Sequence, residues 1–122
     1  PASLSPDWID GVLRSKLGFA GVVITDDLEM GAIREHYSLE ETVVRAVTAG
    51  VDVLLFSNTA KNRLSLASEV RTILVNQAEA DPAFRKRIEQ SYRRIVALRQ
   101  TIQEQSRGSC RLGSLRHISQ HC

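Results

Sequence analysis

The chain has 122 residues and a formal net charge of +2, with 43% hydrophobic and 25% charged residues. That length suits one modest domain, and the composition is that of an ordinary folded protein. Residues 105–122 carry three arginines and no acid, which leaves 13 basic and 14 acidic side chains in residues 1–104. A nearly neutral body argues against nucleic-acid binding. No apolar run approaches the ~20 residues that a membrane helix needs, so no membrane partner is expected.

The first predicted elements are a helix and a buried strand. Residues 5–7 (Ser-Pro-Asp) predict a helix start with a serine cap and a proline at the first helical position, and Gly18 predicts its end. An apolar, β-branched run over residues 20–25 predicts a strand buried on both faces. Asp26 and Asp27 follow that strand directly. Residues 28–33 predict a short loop or helical turn.

The next two elements are again a helix and a strand. Ser38 and Glu41 have the spacing of a capping box, and Gly50 is a typical helix stop. The helix between them is predicted to end near residue 49. Residues 51–57 form the second apolar run and predict the second strand.

Two further helices complete the prediction. Asn58 or Thr59 is expected to cap a helix over residues 60–78. Asp81 followed by Pro82 predicts the start of the last helix. The side chains expected to face inward are Leu64, Ala67, Val70, Ile73 and Leu74 in the first of these helices, and Phe84, Ile88, Tyr92, Ile95, Leu98 and Ile102 in the second.

Two apolar strands joined by a helix predict a parallel βαβ unit and an α/β fold. Two strands alone would leave apolar edges on both sides. We therefore expect the chain to be part of a larger sheet, or to cover its open edges by self-association. Residues 105–122 have no apolar period and are expected to form a disordered or non-native tail, which leaves residues 1–104 as the folded part.

The carboxyl ends of the strands are the expected site of chemistry, because α/β proteins place their active residues there. Asp26 is the main candidate, and its alternative role is to cap the following turn. Ser57, Asn58 and Thr59 follow the second strand, where capping is favoured over ligand binding. Asp52 lies at the start of that strand, at the opposite end, where a turn or a salt bridge is expected.

Other polar groups carry weaker signals. The basic side chains of residues 85–87 and 93–94 are expected to form a solvated helix face rather than a nucleic-acid site. The two cysteines, Cys110 and Cys122, fit no zinc spacing. We expect neither a metal nor an organic cofactor.

Four stretches together resemble glycoside hydrolase family 3, and most closely its β-N-acetylhexosaminidases. The most specific is Gly-Val-Val-Ile-Thr-Asp-Asp-Leu-Glu-Met-Gly-Ala at residues 21–32. The others are Pro-Ala-Ser-Leu-Ser-Pro at residues 1–6, the Leu-Arg and Leu-Gly-Phe pieces within residues 13–19, and Ala-Val-Thr-Ala-Gly-Val-Asp-Val-Leu-Leu-Phe at residues 46–56. The resemblance covers about residues 1–104.

The resemblance implies a fold and a mechanism. The family fold is a (β/α)₈ TIM barrel, and this chain would supply its last two βα units. Asp26 would be the catalytic nucleophile of a retaining hydrolase that removes terminal β-linked N-acetylglucosamine. Met30 and Asp27 would contact the substrate, with Met30 alternatively filling a gap in the barrel mouth and Asp27 alternatively acting as a cap or an orienting group. The implied partner is a carbohydrate, and peptidoglycan recycling in the bacterial cytoplasm is the expected context.

One part of the family pattern is missing. In the β-N-acetylhexosaminidases that this chain resembles, the proton donor is a histidine beside a Lys-His motif early in the barrel. The three histidines here, His36, His117 and His121, all follow Asp26. We therefore expect the native N-terminus to lie upstream of Pro1, and this chain alone to be inactive.

Two alternatives belong to other functional classes. A receiver domain also has paired acids after its first strand, which would bind Mg²⁺. It requires a phospho-accepting aspartate near residues 51–57 and five strands, whereas Ser57 ends the second strand here. The third possibility is a non-catalytic remnant that serves in assembly.

Overall fold

A computed structural model describes residues 4–59 and 62–112. The order of helices and strands is the predicted one, and the stretch after the first strand contains the helical turn that was one of its two predicted forms. The elements are α1 (Asp7–Lys16), β1 (Ile24–Asp27), α2 (Gly31–Arg34), α3 (Leu39–Ala49), β2 (Val53–Leu55), α4 (Leu66–Ala80) and α5 (Pro82–Leu112).

Helix α1 has the wide turns of a π-helix. The amide of Leu17, just past its end, donates to the Val12 carbonyl five residues back, at 3.0 Å. The predicted serine cap is wrong, because Pro6 precedes the helix and no side chain caps it. Gly18 follows the end of the helix with a φ of 67°, a conformation that glycine adopts without strain.

The capping box predicted for α3 is confirmed. The Ser38 hydroxyl accepts from the Glu41 amide at 3.2 Å, and the Glu41 carboxylate accepts from the Ser38 amide at 2.9 Å. The bond from the Ser38 amide contributes most to holding the pKa of Glu41 below its ordinary value, and the Ser38 side chain lowers it further. Gly50 ends the helix in the left-handed conformation, also as predicted.

Strands β1 and β2 form a parallel pair, which confirms the βαβ unit. Ile24 lies opposite Val53 and Asp27 opposite Leu55, with an irregularity between the two pairs. Strand β2 has three residues, fewer than the seven predicted. The carboxyl ends of both strands lie at the same edge of the sheet.

The two faces of the sheet differ. One face packs on the helices, where Ile9, Ala49 and Val51 form a buried cluster with Val23 and Leu54 against it. On the other face, the side chains of Ile24 and Leu55 are 59% and 48% exposed. The part of the chain that the structure describes therefore leaves one apolar face of the sheet open.

Helix α4 begins later than predicted. Asn58 closes the preceding loop by bonding both the amide and the carbonyl of Arg63, at 2.8 and 3.0 Å. The expected cap at Asn58 or Thr59 is therefore wrong, and α4 begins at Leu66. Leu64 falls in the loop and is 96% exposed rather than inward-facing.

Helix α5 begins as predicted, with an Asp81 carboxylate oxygen accepting from the Ala83 amide at 2.8 Å. The helix continues through residues 105–112, where a disordered tail was expected. Residues 113–122 lie outside the described residues. Part of the expected inward-facing line is wrong, because three of its side chains are exposed: Tyr92, Leu98 and Ile102. No helix within the described residues is long and apolar enough to cross a membrane.

Candidate active site

Asp26 lies on the exposed side of β1, near its carboxyl end. One of its carboxylate oxygens accepts from the Asp27 amide at 2.8 Å. The strand therefore presents a carboxylate to solvent at the edge where the sequence predicted a site.

Asp27 connects the ends of the two strands. Its Oδ1 accepts from the amides of Glu29 and Ser57, each at 3.0 Å. The Glu29 bond makes the largest contribution to lowering the Asp27 pKa, followed by the bonds from Ser57. Asp27 thus closes the turn after β1 and also holds the segment after β2.

Glu29 is a member of this edge that sequence reasoning missed. The Ser57 hydroxyl lies 3.3 Å from Glu29 Oε2 and 3.1 Å from the Thr59 hydroxyl. The available signal was its position two residues after Asp27, which places a third carboxylate on the same turn. Capping was favoured for Ser57 and Thr59, and in the structure Ser57 bonds to this acidic turn while Thr59 bonds to Ser57.

Thr25 supports the site from the buried side. Its side chain is shielded from solvent, and its Oγ1 accepts from the Leu55 amide at 2.9 Å. This bond between Thr25 and Leu55 lies where the pairing of β1 with β2 is irregular, between Ile24 and Asp27. The residues on either side of Asp26 therefore both bond to β2 or to the segment that follows it.

Met30 lies after the acidic turn and is 50% exposed. Its carbonyl accepts from the amides of Ile33 and Arg34 in the first turn of α2. A neighbouring cavity of about 300 Å³ is lined by Glu29, Arg34 and other residues of the adjoining helices and loops, but neither Met30 nor Asp26 lines it. The carboxylate of Asp26 thus lies on an open edge rather than inside that cavity.

The opposite end of the sheet holds a buried charge cluster. Asp52 has a fully shielded side chain, and it pairs with Arg14 at 2.7 Å, Arg94 at 3.0 Å and Arg87 at 3.2 Å. The Ser91 hydroxyl adds a bond at 2.7 Å. We call these five residues the Asp52 cluster. It confirms the predicted salt bridge, and it corrects the prediction that Arg87 and Arg94 lie on a solvated face.

The electrostatics of this cluster follow from its contacts. Burial raises the pKa of Asp52. Hydrogen bonds lower it by more, so the net shift is downward; the donors are the Val23 amide and the side chains of Ser91, Arg94 and Arg87. The carboxylate is therefore ionised at neutral pH. Among the described residues, no group of three or more His, Cys, Asp or Glu side chains is placed to hold a metal ion.

Comparison with protein families distinguishes the glycosidase hypothesis from the receiver-domain hypothesis. Residues 1–98 match the model of the glycosyl hydrolase family 3 N terminal domain. The chain belongs to glycosyl hydrolase family 3. The resemblance seen in residues 21–32 is thus confirmed, and a glycosidase is favoured over a receiver domain.

Family 3 relatives align with most of the chain. A β-hexosaminidase of Psychromonas ingrahamii is 42% identical over 74 residues, which are 58% of this chain and 21% of that protein. The crystal structure of a β-N-acetylhexosaminidase from Beutenbergia cavernae matches 80% of this chain and 28% of its own, with a TM-score of 0.71 and 35% identity.

A family 3 β-N-acetylglucosaminidase from a Paenibacillus species matches 100% of this chain and 21% of its own, with a TM-score of 0.69 and 34% identity. The chain therefore spans between a fifth and three tenths of the length of these three proteins. Family membership establishes an α/β domain of family 3 type.

Proposed function

We propose that this chain is part of a retaining β-N-acetylhexosaminidase and that Asp26 is its nucleophile. The observation that carries the proposal is the exposed carboxylate of Asp26 at the carboxyl end of a parallel strand, in a chain that matches family 3 over residues 1–98. Neighbouring Asp27 is held by two amides, whereas the described contacts of Asp26 leave one oxygen without a partner.

The chemistry needs an ionised carboxylate held rigidly beside the sugar. Asp26 attacks the anomeric carbon, and the bond to the leaving oxygen breaks as that oxygen takes a proton from an acid elsewhere in the protein. Water then opens the glycosyl ester and restores the Asp26 carboxylate, with net retention. Met30, which follows the same turn, would contact the substrate, whereas Asp27 would take the orienting role, because its Oδ1 is occupied by two backbone amides.

The open face of the sheet supports a larger barrel. Ile24 and Leu55 are exposed apolar side chains on the two strands. The related proteins are several times longer than this chain. In the proposal they face the interior of a (β/α)₈ barrel of which β1 and β2 are the last two strands. Without the preceding strands, this surface would be covered by self-association.

The proposed substrate is a terminal β-linked N-acetylglucosamine, and its proposed context is peptidoglycan recycling in the bacterial cytoplasm. The relatives are named β-hexosaminidase or β-N-acetylglucosaminidase, which supports this class of sugar. The contacts that distinguish the 2-acetamido group from a hydroxyl would lie on the preceding strands.

The decisive experiment is covalent trapping with the complete parent protein. A fluorinated N-acetylglucosaminide slows breakdown of the glycosyl-enzyme, and peptide mapping then locates the label. We expect it on the peptide that contains Asp26, with no label in the Asp26→Ala variant. Glu79→Gln, at an exposed position on α4, is the matched control and should label normally. A label on any other peptide would overturn the proposal.

The isolated 122-residue chain offers a second test. We expect it to release no measurable nitrophenol from a nitrophenyl N-acetylglucosaminide, because it lacks the proton donor and the substrate-binding residues of the earlier strands. Turnover near that of a complete family 3 enzyme would contradict this part of the proposal.

A further inference from the structure

Two side chains on β1 bond to the backbone of the neighbouring strand segment. Thr25 Oγ1 accepts from the Leu55 amide at 2.9 Å, and Asp27 Oδ1 accepts from the Ser57 amide at 3.0 Å. The two donors are two residues apart, and so are the two acceptors, so the bonds join β1 to the β2 segment just before and just after Asp26. We call Thr25 and Asp27 the strand anchors.

The strand anchors lie on either side of Asp26 in the chain. Thr25 is shielded from solvent, Asp27 is partly buried and Asp26 is exposed. The backbone on each side of Asp26 is therefore fixed by a side-chain bond to the neighbouring strand segment.

We propose that Thr25 and Asp27 are positioning residues that direct the Asp26 carboxylate toward the anomeric carbon. This inference depends on the proposed function and adds how the nucleophile is held. Strand β1 has four residues, its register with β2 is irregular, and its open face gives Asp26 no described side-chain partner. The two bonds of the strand anchors thus add to the single restraint on the carboxylate itself, which is its bond from the Asp27 amide.

The size of the expected effect follows from the geometry of displacement reactions. A shift of ~1 Å in a reacting group can lower a rate by about 100-fold. Loss of an anchor leaves substrate contacts elsewhere intact, so kcat should fall while KM changes little. A purely structural role would lower stability without this split between kcat and KM.

Matched variants separate the hydrogen bond from the rest of each side chain. Thr25→Val keeps the shape and loses the acceptor, whereas Thr25→Ser keeps the acceptor. Asp27→Ala loses Oδ1, whereas Asp27→Asn keeps an oxygen that can accept both amides. Val43→Ala, in the buried core away from the strand ends, controls for lost stability alone.

In the complete parent enzyme, we expect Thr25→Val and Asp27→Ala to lower kcat by about 10- to 100-fold. Thr25→Ser, Asp27→Asn and Val43→Ala should stay within a few-fold of the native kcat. Each rate is divided by the folded fraction measured by circular dichroism. Asp27 is only partly buried at the strand end, so Asp27→Ala decides the test even if Thr25→Val does not fold.

An unchanged kcat in Asp27→Ala would overturn the inference, as would equal losses in Asp27→Asn and Asp27→Ala. Asp26→Ala distinguishes this failure from failure of the proposed function. If Asp26→Ala is inactive and the anchor variants are fully active, only the positioning role is wrong. If Asp26→Ala is active, the proposed nucleophile is wrong.

Discussion

The two ends of the small parallel sheet use aspartate in opposite ways. At the amino end, Asp52 is fully shielded and lies among three guanidinium groups. At the carboxyl end, Asp26 is exposed and Asp27 accepts from the backbone amides of Glu29 and Ser57. All three are ionisable groups next to a strand, so the residue type alone does not separate their roles.

The surroundings explain the difference. A buried carboxylate must have all its partners supplied by the protein, because an unpaired one is very unfavourable away from water. A buried carboxylate with all its partners in place therefore has a structural role. A carboxylate at an open strand end keeps an oxygen available, and amides fix its neighbour without neutralising the site. The aspartate at the amino end is thus buried in a charge cluster, whereas the carboxyl end holds the carboxylate that we propose as the nucleophile.

The largest expected effect separates activity from stability at the carboxyl end. In the complete parent protein, Asp26→Ala should lower kcat by at least about 1,000-fold, because the attacking group is lost. Since Asp26 is exposed, its free energy of unfolding should change by less than about 0.5 kcal/mol. Steady-state kinetics and urea unfolding of the same preparation measure both values. A large loss of stability would show that Asp26 belongs to the scaffold.

The amino end should respond in the reverse sense. Asp52→Ala leaves three arginines around an empty position, and removal of one partner from a buried charge cluster costs about 3–5 kcal/mol of unfolding free energy. Asp10→Ala is the matched control, since Asp10 is exposed and lies 3.8 Å from Arg14. Because the Asp10 carboxylate is open to water, its attraction to Arg14 is screened and contributes at most about 1 kcal/mol. Equal effects in urea unfolding would contradict the assignment of Asp52 as the centre of the cluster.

Acid should weaken the amino end through the same residue. The pKa of Asp52 is lower in the folded protein than its ordinary value of about 3.9. Its contribution to stability is therefore fully present above that pH and is lost as pH falls through the lower, folded pKa. Asp52→Asn should show a flatter loss of stability below about pH 4 than the native protein. Parallel curves of unfolding free energy against pH would disprove this linkage.

The smallest effect is expected from a purely local bond. Ser38→Ala removes one half of the capping box at the start of α3 and should cost about 1 kcal/mol of unfolding free energy. Ser38→Asp keeps an acceptor for the Glu41 amide and should retain most of the stability. A cost as large as that of Asp52→Ala would show that Ser38 has a role beyond capping.

Local signals made much of the fold predictable. Ser38, Glu41 and Gly50 mark the ends of α3 through bonds and backbone preferences that act within a few residues. The apolar runs predicted both strands and their parallel pairing. Asp26 could be named from its place after a strand and from the family resemblance.

Contacts between distant residues were beyond such signals. Arg14 and Asp52 are 38 residues apart, and Asp52 and Arg94 are 42 apart, so no local pattern joins them. The start of α4 was missed because the Asn58–Arg63 pairing competes with helix formation in that loop. The bonds of Thr25 and Asp27 to the β2 segment could not be predicted, because a Thr or Asp in a strand does not reveal which amide its side chain accepts from.

Arg14 has a consequence for chain connectivity. Its Nη1 donates to the carbonyls of Phe19 and Gly21, which lie on either side of Ala20, while its Nη2 contacts the Gly50 carbonyl and Asp52. A protease cut beside Ala20 would therefore leave both new ends bound to one guanidinium. We expect a molecule nicked there to migrate as a single species until it is denatured, and to separate into two pieces more readily when Arg14 is replaced by Lys.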